Sequence, residues 1–493
     1  MTVPTRPVPR LLVSLLAVLA TLALAVQPVA AQSVLRDAET EKLLQDLIDP
    51  LAEAAGLGRG QVEVVLLNDP SINAFVAGGQ RIFIHSGLIN AADTANEVQG
   101  VLAHELGHIT GGHINRMSEG AGRAGKIQIL SMLAGVAAAL AGAGDAAMGA
   151  MALGQQAAMG SFLSFTRTQE ASADAASVQF LKCAGISGRG TVSFFRKLQN
   201  LEFRYGYSQS DEAGFTRTHP LTGDRISRLE ADLKDDPAWG RPDADLVAEF
   251  DGTLTSPTNE LPPPADLGSN CAAAPALTAG LEPRFERVKA KLYGYLAEPA
   301  RTLQAYPEHM SGVPARYARA YAYHKQAKID EALAETEALI AEDPENPYFL
   351  ELEGQVLLES GRPDEALDPL RRAVQLTGND PLIAGTFGHA LMATEDGEHL
   401  EEAERVLRAS VARDRENPFA WYQLGVVYGA RGDIPRAQLA SAEQQVMAGN
   451  PRQALRSAQA AEAALPQGTP DWIRAQDVAL QARSLLEREE RRN

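Results

Sequence analysis

Cysteine is nearly absent: the 493 residues hold two, Cys183 and Cys271. That excludes a disulfide-stapled scaffold, and neither residue has metal-ligand spacing, so no thiolate metal centre is available. In an oxidising compartment the pair can form one bridge tying a Pro-rich stretch to the first domain; two free thiols are the open alternative. Positive charge is also in deficit. Against 63 Asp and Glu stand 45 Lys and Arg, a net charge of -18, which argues against a nucleic-acid surface. Histidine is scarce, at 9 residues. Long apolar runs are scarce too. Leu11 to Val26 and Ile127 to Ala143 both fall short of the about 20 residues that a membrane span needs.

The first run reads as an export signal. Arg6 and Arg10 precede it, and Val29-Ala30-Ala31 offers small residues for cleavage before Gln32. No cysteine follows to carry a lipid. A cleaved signal over residues 1–31 and an exported protein are therefore expected. The second run lies in residues 127–160, rich in Ala, Gly, Met and Leu with Asp145 their only charge. It reads as a helical hairpin of small residues packed against the core. A lid over a cleft, or a peripheral contact with membrane, is the sharper alternative.

What is present is concentrated in His104-Glu105-Leu106-Gly107-His108. On a helix, positions i and i+4 lie one turn apart on the same face. Two imidazoles so placed can grip one zinc ion, with Glu105 beside them to take a proton from an attacking water. Gly111-Gly112 follows, where the helix should stop. Upstream, residues 34–57 have helical periodicity, Val62 to Leu67 reads as a strand, and Ile72 to Val76 with Arg81 to Ile84 read as a hairpin about Gly78-Gly79. Such a hairpin offers an edge strand to an extended peptide.

Two histidines do not complete a zinc site. Ile114 stands where one known continuation of the motif has a third histidine, and His113 is one residue early; it reads as a structural or rim residue. Glu170 is the better third ligand. In Glu170-Ala-Ser-Ala-Asp174 the i, i+4 spacing puts both carboxylates on one helix face. Asp174 can then fix a ligating histidine through its other ring nitrogen. The neighbouring alanines let a second helix approach the first. A third cluster, His219-Pro220 to Arg225, supplies groups for a developing oxyanion; alternatively His219 occupies the open metal position and holds the enzyme off.

Composition changes after Trp239 to a Pro-, Asp- and Ser-rich stretch with Pro262-Pro263-Pro264, read as a linker over residues 240–283. From about 284 the chain repeats. Trp421-Tyr-Gln-Leu424-Gly425-Val-Val-Tyr428 fits the tetratricopeptide pattern. Ala437 follows Gly425 as Ala366 follows Gly354 and Ala332 follows Ala320. Prolines 314, 347, 381 and 418 mark repeat boundaries, with an insertion between Gly388 and Ala403. Such stacks bind protein segments and do no chemistry themselves.

Asn73-Ala74-Phe75 with its hairpin, the His104–His108 motif, Glu170 with Asp174, and His219-Pro220 with Arg225, in this order, resemble the M48 family of zinc metallopeptidases over roughly residues 34–235. The resemblance implies an α+β zincin-like (gluzincin) domain over residues 32–239, mostly helical with a small β-sheet, followed by an all-α tetratricopeptide solenoid over 284–493. It implies one zinc per chain held by His104, His108 and Glu170, Glu105 as general base, and His219 as a fourth, self-inhibiting ligand. Periplasmic members of that family degrade stalled or misfolded outer-membrane proteins, and some assist assembly with repeats contacting the barrel-assembly machinery. The expected partners are thus unfolded proteins and that machinery. A chaperone or scaffold with a mostly closed metal site is the rival reading.

Overall fold

The computed structural model describes residues 33–140, 144–205, 215, 219–240 and 280–492. The expected signal, most of the Pro-rich linker and Cys271 lie outside them. Cys183 is disulfide-bonded.

A four-stranded sheet and a set of helices form the first unit. The strands are β1 (Ser33–Val34), β2 (Glu63–Asn68), β3 (Ala74–Ala77) and β4 (Arg81–His85), in spatial order β1-β2-β4-β3. The β3–β4 hairpin is antiparallel, with Phe75 opposite Phe83 and their rings stacked at 5.3 Å. β4 pairs in parallel with β2, Val64 opposite Ile82 and Leu66 opposite Ile84. β3 is therefore an edge.

Helix α1 (Ala38–Ala54) and helix α3 (Ala95–Thr110), joined to the sheet through α2 (Ser86–Ala91), cover it. Leu43, Leu47, Ile48 and Leu51 of α1 meet Val64, Leu66, Ile82 and Ile84 of the sheet and Val98, Val101, Leu102 and Leu106 of α3 in one core. This is the period-3.6 stripe meeting the period-2 face. Thr94 caps α3 by accepting from the Glu97 backbone N–H, while Glu97 accepts from the Asp93 N–H. The Thr-x-x-Glu spacing is that of a capping box, with the Glu97 carboxylate reaching the N–H one residue before the cap.

Helix α4 (His113–Leu140) and helix α5 (Gly144–Ala184) form a long hairpin. A Cβ on Gly154 would lie 1.9 Å from Ser131 Cβ, so small residues do let the arms close. The expectation that this hairpin packs against the core is corrected. Ile129, Leu130, Leu133, Met148, Leu153 and Met159 are all more than half exposed. Small residues satisfied the arm-to-arm seam and left the larger ones outside. Among the described residues no helix is long and apolar enough to cross a membrane. Helix α6 (Arg189–Tyr205) and helix α7 (Gly223–Lys234) complete the unit.

Helices α8 (Leu281–Leu296) and α9 (Pro299–Ala305) lead into paired helices from α10 (Val313–Lys325) through α11 (Ile329–Glu342), α12 (Pro347–Glu359), α13 (Pro363–Leu376), α14 (Pro381–Ala393), α15 (Leu400–Arg413), α16 (Pro418–Ala430), α17 (Ile434–Met447), α18 (Pro451–Ala464) and α19 (Pro470–Arg492). The insertion foreseen between Gly388 and Ala403 is a 3-10 turn, Gly397–His399. Sequence placed α8 at the head of the repeats, yet Phe285, Val288 and Leu292 belong to the first core. Ionic contacts fasten the two units. Lys291 Nζ lies 2.5 Å from Asp37, Arg287 Nε 2.5 Å from Glu39, and the Tyr317 hydroxyl donates to Glu39 at 2.9 Å. Arg36 reaches Asp414 at 2.8 Å and Arg81 reaches Glu416 at 3.3 Å.

Candidate metal centre

Helix α3 carries His104, Glu105 and His108 on its inner face, and stops at Thr110 before Gly111 and the left-handed Gly112. Gly107 lies between the histidines. A Cβ there would sit 2.6 Å from the Ala173 carbonyl oxygen, so its absence lets α5 press its backbone onto α3. That contact brings Glu170 and Asp174 to the histidines.

His104 Nε2 and His108 Nε2 are 3.2 Å apart, and Glu170 lies 3.3 Å from the first and 3.4 Å from the second. His219 adds its Nδ1, 3.3 Å from His104 Nε2 and 3.1 Å from Glu170. The four donors lie within 4.8 Å of one another, and all four residues are buried or nearly so. Donors around a tetrahedral zinc, each about 2.0–2.1 Å from it, stand about 3.3–3.4 Å from one another. The separations here cluster at that tetrahedral edge, so the residues present fit a metal ion.

The electrostatics point the same way. Burial opposes charge on His104, but Asp174 and Glu170 beside it push its pKa up to about 10. Burial and the neighbouring His104 and His219 push His108 down to about 2. Burial would raise Glu170, yet hydrogen bonds to His104 and His219 hold it well below the ordinary carboxylate range.

Asp174 Oδ1 lies 3.0 Å from His104 Nδ1. Arg225 was expected to serve an oxyanion. Its guanidinium instead grips Asp174 twice at 2.8 Å, reaches Glu170 at 3.1 Å and donates to the Pro220 carbonyl at 2.8 Å. Glu105 is 1% exposed, its Oε1 has no hydrogen-bond partner, and burial raises its pKa. His219 Nε2 is the neighbouring group at 3.4 Å. Phe215 stacks on the His219 ring at 4.6 Å and accepts from the His219 backbone N–H. Sequence reasoning took His113 for a structural or rim residue; its Nδ1 lies 2.9 Å from His108 Nδ1. Its signal is the turn at Gly111-Gly112, which folds the chain back toward the motif.

The fold and this cluster define a metalloendopeptidase joined to a helical repeat domain. Residues 38–233 match Peptidase family M48, and residues 317–381 match the tetratricopeptide repeat. The chain is 26% identical over 425 residues, 86% of its own length and 79% of the relative's, to the Beta-barrel assembly-enhancing protease of Escherichia coli (strain K12). It is 31% identical over 161 residues to Metalloprotease LoiP of the same strain, covering 32% of this chain and 57% of that one. It is 24% identical over 193 residues to the mitochondrial Metalloendopeptidase OMA1 of Bos taurus, covering 38% and 35%.

Proposed function

We propose that the chain is a zinc endopeptidase of the periplasm that hydrolyses misfolded or stalled outer-membrane proteins, with its repeats recruiting substrate or the barrel-assembly machinery. The observation that carries the chemistry is the convergence of His104, His108, Glu170 and His219 donors at zinc-like separations beside a buried Glu105 whose Oε1 makes no hydrogen bond. The relative named for β-barrel assembly, similar along most of this chain, supports the substrate class. We assign residues 1–31 to a removed signal, 32–239 to the protease, 240–283 to a linker and 284–493 to the repeats.

His104, His108 and Glu170 would hold the ion. Zinc, when bound, polarises a carbonyl oxygen and brings a water's pKa to about 7. Glu105, kept out of solvent, takes the proton of the attacking water and delivers it to the leaving amine. Asp174 fixes the His104 ring, and Arg225 holds both carboxylates in register. His219 fills the fourth donor position and covers Glu105, so it gates the site. Once withdrawn, its ring can donate to the oxyanion, a contribution of about 3–4 kcal/mol in comparable sites. An unfolded segment would pair with edge strand β3, against which α3 packs. The exposed apolar side chains of α4 and α5 support a peripheral membrane contact.

The filled fourth position also favours a second reading, a chaperone or scaffold whose site stays mostly closed. Glu105→Gln separates the two. It should keep zinc and lose cleavage of casein, and should lose function in cells if hydrolysis is the task. A variant that still cleaves removes Glu105 from the mechanism; one that is inactive in vitro yet fully functional in cells favours the scaffold.

A further inference from the structure

The geometry points to His113 as the positioning residue of His108: it accepts a hydrogen bond from His108 Nδ1–H and so fixes the tautomer that turns the Nε2 lone pair toward the donor cluster. The inference rests on the metal-site reading above and adds to it a residue outside the ligand set.

The two ligand-bearing histidines of α3 need the same service and receive it differently. A histidine that binds through one ring nitrogen carries its proton on the other, and what accepts that proton sets the ring's tautomer and orientation. His104 has Asp174 Oδ1 at 3.0 Å from its Nδ1. Among the described residues no carboxylate contacts His108 Nδ1; its partner is His113 Nδ1 at 2.9 Å. His108 Nε2 faces His104 Nε2 and Glu170, so its proton belongs on Nδ1. Two nitrogens at hydrogen-bond distance share one proton, and His113 must therefore present a lone pair at Nδ1 and carry its own proton on Nε2.

His113 is held for this task. It is 5% exposed although it opens α4 at the edge of the cluster, and its ring meets the His108 ring edge-on at 4.9 Å. Gly111 makes the room: a Cβ there would lie 2.2 Å from His113 Nε2 and 2.7 Å from its Cδ2. Gly111 has φ -72, a conformation any residue adopts, so the ring rather than the backbone accounts for a glycine at this position. Gly112, at φ 62, supplies the reversal that returns the chain toward His108. A neutral imidazole accepts less strongly than a carboxylate.

The test uses the full mature protein and three variants. His113→Ala removes the acceptor. His113→Asn restores one, because the asparagine Oδ1 stands near the place of the imidazole Nδ1. Gly111→Ala leaves His113 intact but drives its ring away. In metal-free protein with 15N-labelled histidine, His108 should be the Nδ1–H tautomer in the parent and in His113→Asn. It should shift toward Nε2–H in His113→Ala and Gly111→Ala. In chelator competition, zinc affinity should fall about 10- to 100-fold in those two and recover in His113→Asn. The visible spectrum of the cobalt-substituted protein should change in parallel. An unchanged His108 tautomer in both His113→Ala and Gly111→Ala overturns the assignment, as does a His113→Asn protein that behaves like His113→Ala. If the parent binds no zinc while the tautomer still follows His113, the metal-site reading fails and the positioning role stands.

Discussion

Gly107→Ala puts the architecture of the centre under direct strain. The added methyl would lie 2.6 Å from the Ala173 carbonyl oxygen, 2.9 Å from its Cα and 3.1 Å from its carbonyl carbon. All three are backbone atoms of α5, so no side chain can swing aside. Relief requires α3 and α5 to part by roughly half an ångström or more, and overpacking of this kind costs about 1–3 kcal/mol. Alanine regains about 1 kcal/mol of helix propensity over glycine, which leaves a net loss of roughly 0–2 kcal/mol and a melting temperature lower by up to about 8 °C. Metal binding should suffer more than stability. Glu170 travels with α5 and the histidines with α3, and a metal site tolerates ligand displacements of about 0.2 Å. The purified variant should remain folded by circular dichroism while its zinc content drops well below one per chain. A Gly107→Ala protein that keeps full zinc and full proteolytic activity would refute the close-approach argument.

Two further outcomes follow from features away from the centre. Glu351, on α12, has an Oε2 with no hydrogen-bond partner, and burial pushes its pKa up to about 8 from 4.5. A carboxyl raised on folding takes up a proton between those values. Its stabilising contribution is complete below pH 4.5 and is lost as pH rises toward 8. Glu351→Gln should flatten that slope and gain on the order of 2 kcal/mol at pH 8–9, the half-buried side chain tempering the full linkage value; parallel melting curves of the two proteins across pH would contradict it. On the hairpin, wild-type protein should float with phosphatidylethanolamine–phosphatidylglycerol vesicles. A Leu130→Asp, Leu153→Asp double variant should stay in the unbound fraction, and equal flotation of the two would dismiss the membrane contact.

Local geometry was readable where chemistry and helix period coincide. His104 and His108, or Glu170 and Asp174, share a helix face by spacing alone, and tight helix approach was visible in the alanines about Glu170. The repeats were readable because one small-residue offset recurs, from Ala320 to Ala332, Gly354 to Ala366 and Gly425 to Ala437. Long-range placement was not. Nothing local says that β4 pairs in parallel with β2, or that Phe285 of α8 enters the first core. Arg225 was given to an oxyanion because charge near a histidine suggests chemistry, whereas its partners, Asp174 and Glu170, lie on another helix. His113 was read as a structural or rim residue with no partner named, because a turn, rather than a period, delivers it to His108. The hairpin was misjudged because composition counts small residues without saying which face the large ones take.

The ligand set itself is the central claim, and zinc-edge X-ray absorption of the mature protein, wild type beside His219→Ala, tests it most directly. The wild type should show one zinc with four nitrogen or oxygen neighbours at about 2.0–2.1 Å, three of them imidazoles. The variant should show two imidazoles; a gain in its proteolytic activity marks the gate, a loss the oxyanion role. A zinc with no carboxylate oxygen, or an imidazole count that His219→Ala leaves unchanged, would contradict the account.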